Sequence, residues 1–464
     1  MKKLFVTFLT LILCVFIFTS CRFKPESAAD VMAKIDEKMD SLKSYQSDMT
    51  AEMTTKIQGM DCSASFTGQN ILLEDYYYQL MEGSTTIKTG GLISDTETTV
   101  EFKGMEAFYD GKMFIWNEQT DPSKTTGDLV QRLYSPLTKE EFSQYLENKT
   151  DDLDIDYNAC VNSTFVQNED KSWTLTYSGY TKKVIEEVVE AFGDELFEDE
   201  IVDMEITIQA NKDFTAKEIV INMVFEDSAT SSFQIRQQYS KYDEATAVTD
   251  TLDTNVYTEI ADCRLLKDFE DMLEDLEEAE NGSFVLDLNQ SLTIQRPSGK
   301  QNTSETDTVR YGKKDGKYFY TVQASYDGAD IGISYENGKQ TVTVGGGSQT
   351  VDQTEEEAKA FIDGLINTAS YDSIRVSGIQ KVSDGVYKIR CAKPSADLYQ
   401  PVMSSLGIHD PNVSQTITIS VDDGKITKIE STLEAKGENM TYSGATFKIT
   451  STNTFDHSVN DKVA

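Results

Sequence analysis

Two stretches decide the fold: EITIQANKDFTAKEIVINMVFE at 205–226 and TITISVDDGKITKIESTLEAKG at 416–437. Each alternates apolar and polar residues, breaks at an Asn/Asp-rich turn and resumes the alternation. Period two with one apolar side marks a strand packed on one face, and two such runs around a short polar turn make a hairpin. The same hairpin written twice, with a shift of roughly 215 residues, implies duplicated domains rather than a solenoid.

Other segments match in the same order. SFQIRQQYSKYDEA (232–245) and TFKITSTNTFDHSV (446–459) each supply a closing strand. NEDKSWTLTY (168–177) matches VSDGVYKIRC (382–391), and LTKEEFSQYL (137–146) matches QTEEEAKAFI (353–362). The last pair opens helices, because Thr138 with Glu141 and Thr354 with Glu357 form capping boxes. Asp110-Gly111 and Asn337-Gly338 signal tight hairpins, whose central residues both need positive φ.

Each copy starts with an amphipathic helix. Val31, Ile35, Met39 and Leu42 share one face behind a capping box of Ser27 and Asp30; Leu266, Phe269, Leu273 and Leu276 repeat the pattern. A further helix is expected at Val184, Ile185, Val188, Val189, Phe192 and Leu196. These signals predict an α+β protein of two similar domains, each a curved antiparallel sheet (a half-barrel) covered on one face by helices, its other face wet. The expected division is a signal peptide at 1–20, a tether at 21–26, a domain at 27–245, a linker at 246–258 and a domain at 259–464.

The N-terminus carries an address. Lys2 and Lys3 precede a run from Leu4 to Phe18 that is apolar apart from Thr7 and Thr10, and the run ends at Thr19-Ser20-Cys21. A positive end, an apolar middle and small residues at the cut make a secretory signal. The run is shorter than the ~20 residues a membrane-spanning helix needs. Phe18-Thr19-Ser20-Cys21 resembles the lipobox of bacterial lipoproteins, with Phe18 where Leu is usual. The resemblance implies acylation of Cys21, palmitate included, and an anchor on the extracytoplasmic face of the cell membrane. Two acyl chains hold a protein stably where one does not.

Together with LKSYQSDMTAEM (42–53) and the Gly/Asp hairpins, this organisation resembles the LolA/LolB and LppX/LprG-type envelope lipoproteins. Those carry lipids, glycolipids or lipoproteins in a hollow between sheet and helices. The resemblance implies binding or transfer of an apolar ligand; the alternative is an envelope sensor or scaffold that binds another protein. The candidate ligand face is Tyr76, Tyr78 and Leu80, with Met204, Ile206 and Ile208, and with Tyr318, Tyr320 and Val322 in the second copy. All three sets alternate along strands.

Composition narrows the classes. The formal net charge of −37 repels nucleic acid, which is excluded as a partner. Twenty-two Tyr and 22 Phe against 7 Pro describe a folding chain. Cys62, Cys160, Cys263 and Cys391 fit no zinc spacing. They read as buried thiols, or as pairs Cys62–Cys160 and Cys263–Cys391 in an exported protein. No enzyme and no cofactor are expected. The two histidines, His409 and His457, lie in a loop and near the end, and no G-x-S-x-G or P-loop pattern occurs. Asp152, Asp154 and Asp156 begin like a calcium loop, but Tyr157 stands where Gly is needed and Ser163 where Glu is needed.

Overall fold

The computed structural model describes residues 25–456 except 58–59, 90–95, 121–127, 152–158, 183, 186–200, 227–230, 279–282, 297, 315–316, 327–328, 367–370, 396–397, 401–403, 405–411 and 437–445. Cys21, His409, His457, the Asp152–Asp156 run and most of the helix expected after Val184 lie outside the described residues.

After helix α1 (Ala28–Asp40), the first sheet is laid down as β1 (Ser44–Ile57), β2 (Met60–Leu73), β3 (Tyr76–Thr89), β4 (Thr96–Tyr109), β5 (Lys112–Gln119) and β6 (Leu129–Pro136). Helix α2 (Lys139–Asp151) follows, then β7 (Cys160–Gln167), β8 (Trp173–Tyr180), β9 (Ile201–Ala210), β10 (Ala216–Phe225) and β11 (Ser232–Ser240). The short β12 (Thr258–Glu259) leads into α3 (Leu265–Glu278). The second sheet starts with β13 (Ser283–Arg296), β14 (Gly299–Lys314), β15 (Lys317–Tyr326), β16 (Ala329–Glu336), β17 (Lys339–Val344) and β18 (Gly347–Asp352). Helix α4 (Glu355–Ile366) precedes β19 (Val376–Ser383), β20 (Val386–Cys391), β21 (Asn412–Asp422), β22 (Lys425–Lys436) and β23 (Thr446–Asp456).

The strand orders are β12-β6-β5-β4-β3-β2-β1-β11-β10-β9-β8-β7 and β18-β17-β16-β15-β14-β13-β23-β22-β21-β20-β19. Apart from β12, the two follow one connectivity. Six strands meander outward, a helix intervenes, and five strands meander back until the last pairs antiparallel with the first, β11 on β1 and β23 on β13. The chain divides into two compact units, Met1–Pro122 with Tyr134–Tyr257, and Ser123–Leu133 with Thr258–Ala464.

The local signals hold. The Ser27 hydroxyl accepts from the Asp30 amide, and the Asp30 carboxylate accepts from the Ser27 amide. Thr138 and Glu141 exchange the same pair of bonds, as do Thr354 and Glu357. Asp110 and Gly111 have φ of 51° and 67°, and Asn337 and Gly338 of 52° and 78°, as a primed hairpin turn requires.

The expected α+β class, a sheet covered on one face by helices, is corrected: the protein is mostly β. Among the described residues four α-helices of 12 to 14 residues accompany strands of up to 16 residues. The reason is size. A 13-residue helix is about 20 Å long. Eleven strands some 4.8 Å apart make a sheet roughly 50 Å across. Such helices cover part of each sheet, and the strands supply most of the core.

Candidate functional site

The first sheet has two different faces. The ladders place Met204, Met223, Phe233, Met53 and Ala64 in one row across β9, β10, β11, β1 and β2. The next rows run Ile206, Ile221, Ile235, Ala51, Phe66 and Ile208, Ile219, Gln237, Met49, Gly68, Met81. This inner face packs against Val31, Ile35 and Met39 of α1. Seven methionines enter that cluster: Met32, Met39, Met49, Met53, Met81, Met204 and Met223.

Tyr76, Tyr78 and Leu80 lie on the opposite, outer face, with Ile71, Met105, Ala107 and Phe114. They do not come together with Met204, Ile206 and Ile208. Their cover is the segment after β11, from which Ala245, Leu252 and Tyr257 are buried in the same cluster. The Tyr76 hydroxyl donates to the Val248 carbonyl at 2.8 Å and accepts from the Val248 amide at 2.9 Å. Tyr257 donates to the Thr251 carbonyl at 2.9 Å. Thr246–Thr258, read as a linker, thus includes a strap across the first sheet.

In the second unit Tyr318, Tyr320 and Val322 are buried on the helix-covered face. The Tyr320 ring lies 5.2 Å from Phe361 of α4 and stacks at 5.7 Å on Tyr335. Tyr311, which pairs with Tyr320, donates from its hydroxyl to the Leu276 carbonyl in α3. All nine candidate face residues are therefore covered by the chain's own elements, eight of them to under 7% exposure with Leu80 only partly buried.

Sequence reasoning missed the polar residues of the inner face. Ser47, Asn70, Gln79 and Gln237 are all buried there. Gln237 Nε2 donates to Ser47 Oγ at 2.9 Å, Asn70 Nδ2 approaches the same oxygen at 3.5 Å, and the Tyr77 hydroxyl donates to Gln79 Oε1 at 2.8 Å. A polar residue between apolar ones two places away breaks no strand pattern, so only the burial reveals them. Two helices, α1 and α3, each hold a partly buried carboxylate. Burial, then Asp40, raises Asp36 in α1 to about 7; burial, then Asp262 and Asp271, raises Asp268 in α3 to about 6.

The second unit has a cleft of about 140 Å³ lined by Leu129, Arg132, Arg375, Ser377 and Lys393. That is below the roughly 300–1,000 Å³ of ligand pockets. None of the four cysteines forms a disulfide. Burial raises the Cys62 thiol, and burial with Asp372 nearby pushes Cys391 up to about 12, which favours the protonated thiol over the nucleophilic thiolate. Among the described residues no cluster of three or more metal ligands occurs, and no helix is long and apolar enough to cross a membrane.

No family model and no curated protein matches the chain. Among solved structures, an outer membrane lipoprotein-sorting protein domain from Vibrio parahaemolyticus aligns at 6% identity over 42% of this chain and 94% of its own, with a TM-score of 0.17. A DUF1329 family protein from Desulfovibrio piger aligns at 11% identity over 42% and 95%, with a TM-score of 0.20. Transferrin Binding Protein B from Haemophilus parasuis aligns at 7% identity over 89% and 76%, with a TM-score of 0.13. Likenesses this weak establish no family for the chain.

Proposed function

We propose that this is a lipid-anchored extracytoplasmic binding protein of two tandem modules, and that its first unit takes up an apolar ligand on the inner face of the sheet. The observation that carries the reading is the five methionines of that face, Met49, Met53, Met81, Met204 and Met223, which share one cluster with Met32 and Met39 of α1. Methionine is unbranched and polarizable, fills irregular gaps and repacks readily, so a surface rich in it adapts to ligands of varied shape. Among the described residues the second unit buries no methionine. Its core is built of Tyr, Phe, Ile and Leu, which hold a fixed packing. Cys21 supplies the anchor in this reading, and catalysis has no part in it.

The test is to purify the protein from membranes, extract it with organic solvent and analyse the extract by mass spectrometry against a mock preparation. Acyl lipid enriched in proportion to protein supports the reading. An extract identical to the mock, with no binding of a fluorescent fatty-acyl probe, sinks it.

A second reading, docking of another envelope protein, is favoured by the strap. The outer face of the first sheet already accepts a polypeptide segment through Tyr76 and Val248. A partner crosslinked at Tyr78 would move the choice to this reading.

A further inference from the structure

We infer that Ser47, Asn70 and Gln237 form a station for the hydroxyl-bearing head of an amphiphile on the inner face of the first sheet. This rests on the ligand-binding reading above and names the chemistry of the ligand.

Ser47 of β1 pairs with Asn70 of β2, and Gln237 of β11 pairs with Met49, two residues along β1. The three side chains meet at Ser47 Oγ, which receives both amide groups. Asn70 and Gln237 are only 4% and 2% exposed, and their oxygens, Asn70 Oδ1 and Gln237 Oε1, have no hydrogen-bond partner. Leaving a buried acceptor unmet is costlier than replacing it with an apolar group. Turning the amides over does not repair this. Ser47 has one hydrogen, which serves one oxygen, and both NH₂ groups are then stranded.

The station therefore offers two acceptors and one donor. A vicinal diol meets all three: its hydroxyls donate to the two amide oxygens, and one accepts from Ser47. An ammonium group meets only the acceptors and buries a charge. Met49, Met81 and Ile219 of the neighbouring row are apolar partners for an acyl chain. The position recurs. Starting from Ile208 and Ile419, two steps across the ladders reach Gln237 in one sheet and Asn453 in the other. Asn453 is 0% exposed. Both sheets thus bury an amide where an apolar side chain would suffice for packing.

Full-length protein in phosphatidylcholine vesicles is exposed to two photoactivatable probes with one acyl chain, a monoacylglycerol and a methyl ester, and the crosslinks are mapped by mass spectrometry. The monoacylglycerol is expected to label inner-face residues about tenfold more than the ester, and Asn70→Leu with Gln237→Leu to bring the ratio to about one. The double variant is expected to melt no lower than the wild type. Equal labelling by both probes, as when ordered water alone fills the station, overturns the inference and leaves ligand binding standing. A preference that survives the substitutions, or a variant that melts well below the wild type, also overturns it. No inner-face labelling by either probe removes the ligand-binding reading and this inference with it.

Discussion

Tyr77 and Tyr320 hold the same place in the two sheets, each against a phenylalanine of the helix that follows its sheet's sixth strand. Tyr77 lies 5.5 Å from Phe142 of α2, and Tyr320 lies 5.2 Å from Phe361 of α4. Their ladder partners are aromatic too, Phe108 for Tyr77 and Tyr335 for Tyr320. Phe142 is fully packed, so Phe142→Ala is expected to cost about 3–5 kcal/mol, and Phe361→Ala less because its ring is half-buried. Trp116 and Trp173 both belong to the first unit. Urea titrations followed by tryptophan fluorescence read the first substitution, and circular dichroism reads the second. An unchanged midpoint for Phe142→Ala would remove the helix contact as a source of stability.

Asp36 makes stability depend on pH. Burial holds its carboxyl at about 7 against 3.8 for an ordinary aspartate, so the folded state favours the protonated form. Its stabilising contribution is full below about 3.8, declines as pH rises and is lost above about 7. Asp36→Asn keeps the uncharged shape at every pH. The variant is expected to melt above the wild type at pH 8, with the gap closing toward pH 4. A gap that does not change with pH would assign the effect to something other than ionisation.

The strap is tied down by one hydroxyl. Tyr76→Phe removes both bonds to Val248, a loss of about 1–2 kcal/mol at this point. Amide hydrogen exchange at Val248 and its neighbours is expected to quicken, with the β9 amides unchanged. Equal protection in both proteins would show that Ala245, Leu252 and Tyr257 hold the strap without the hydroxyl.

The anchor has a direct readout. Cells fed an alkyne analogue of palmitate are expected to label the wild-type protein and not Cys21→Ala. Equal labelling of both would end the proposal of acylation at Cys21.

The local signals were fully legible: the three capping boxes and the two primed turns depend on residues within four positions of one another. The face assignments were not. Tyr76, Tyr77 and Tyr78 are consecutive, so either parity of β3 presents an apolar row. Alternation aligned Tyr76 and Tyr78 with Tyr318 and Tyr320, whereas the ladders make Tyr77 the counterpart of Tyr320. What settles the matter is the cover on each face, and for Tyr76 that cover comes from Val248, 172 residues away. The class was misjudged for a related reason. Capping boxes and 3.6-residue periodicity announce a helix within a dozen residues. A strand such as β14, which reads QNTSETDT at 301–308, looks like a loop until its partners are known. The inner-face station is a third case, since alternation puts Gln237 on the side of Ile235 and Tyr239, and only the burial shows that a polar group is held there.

The division of the chain is not the division of its sequence. Ser123–Leu133 belongs to the second unit, where the buried Gln131 donates through Nε2 to the Ser373 and Val376 carbonyls at 2.6 and 2.7 Å. During synthesis this piece leaves the ribosome long before the strands that receive it. The second unit cannot be completed by its own half of the message: a gene fragment that begins at residue 258 encodes a unit with a part missing.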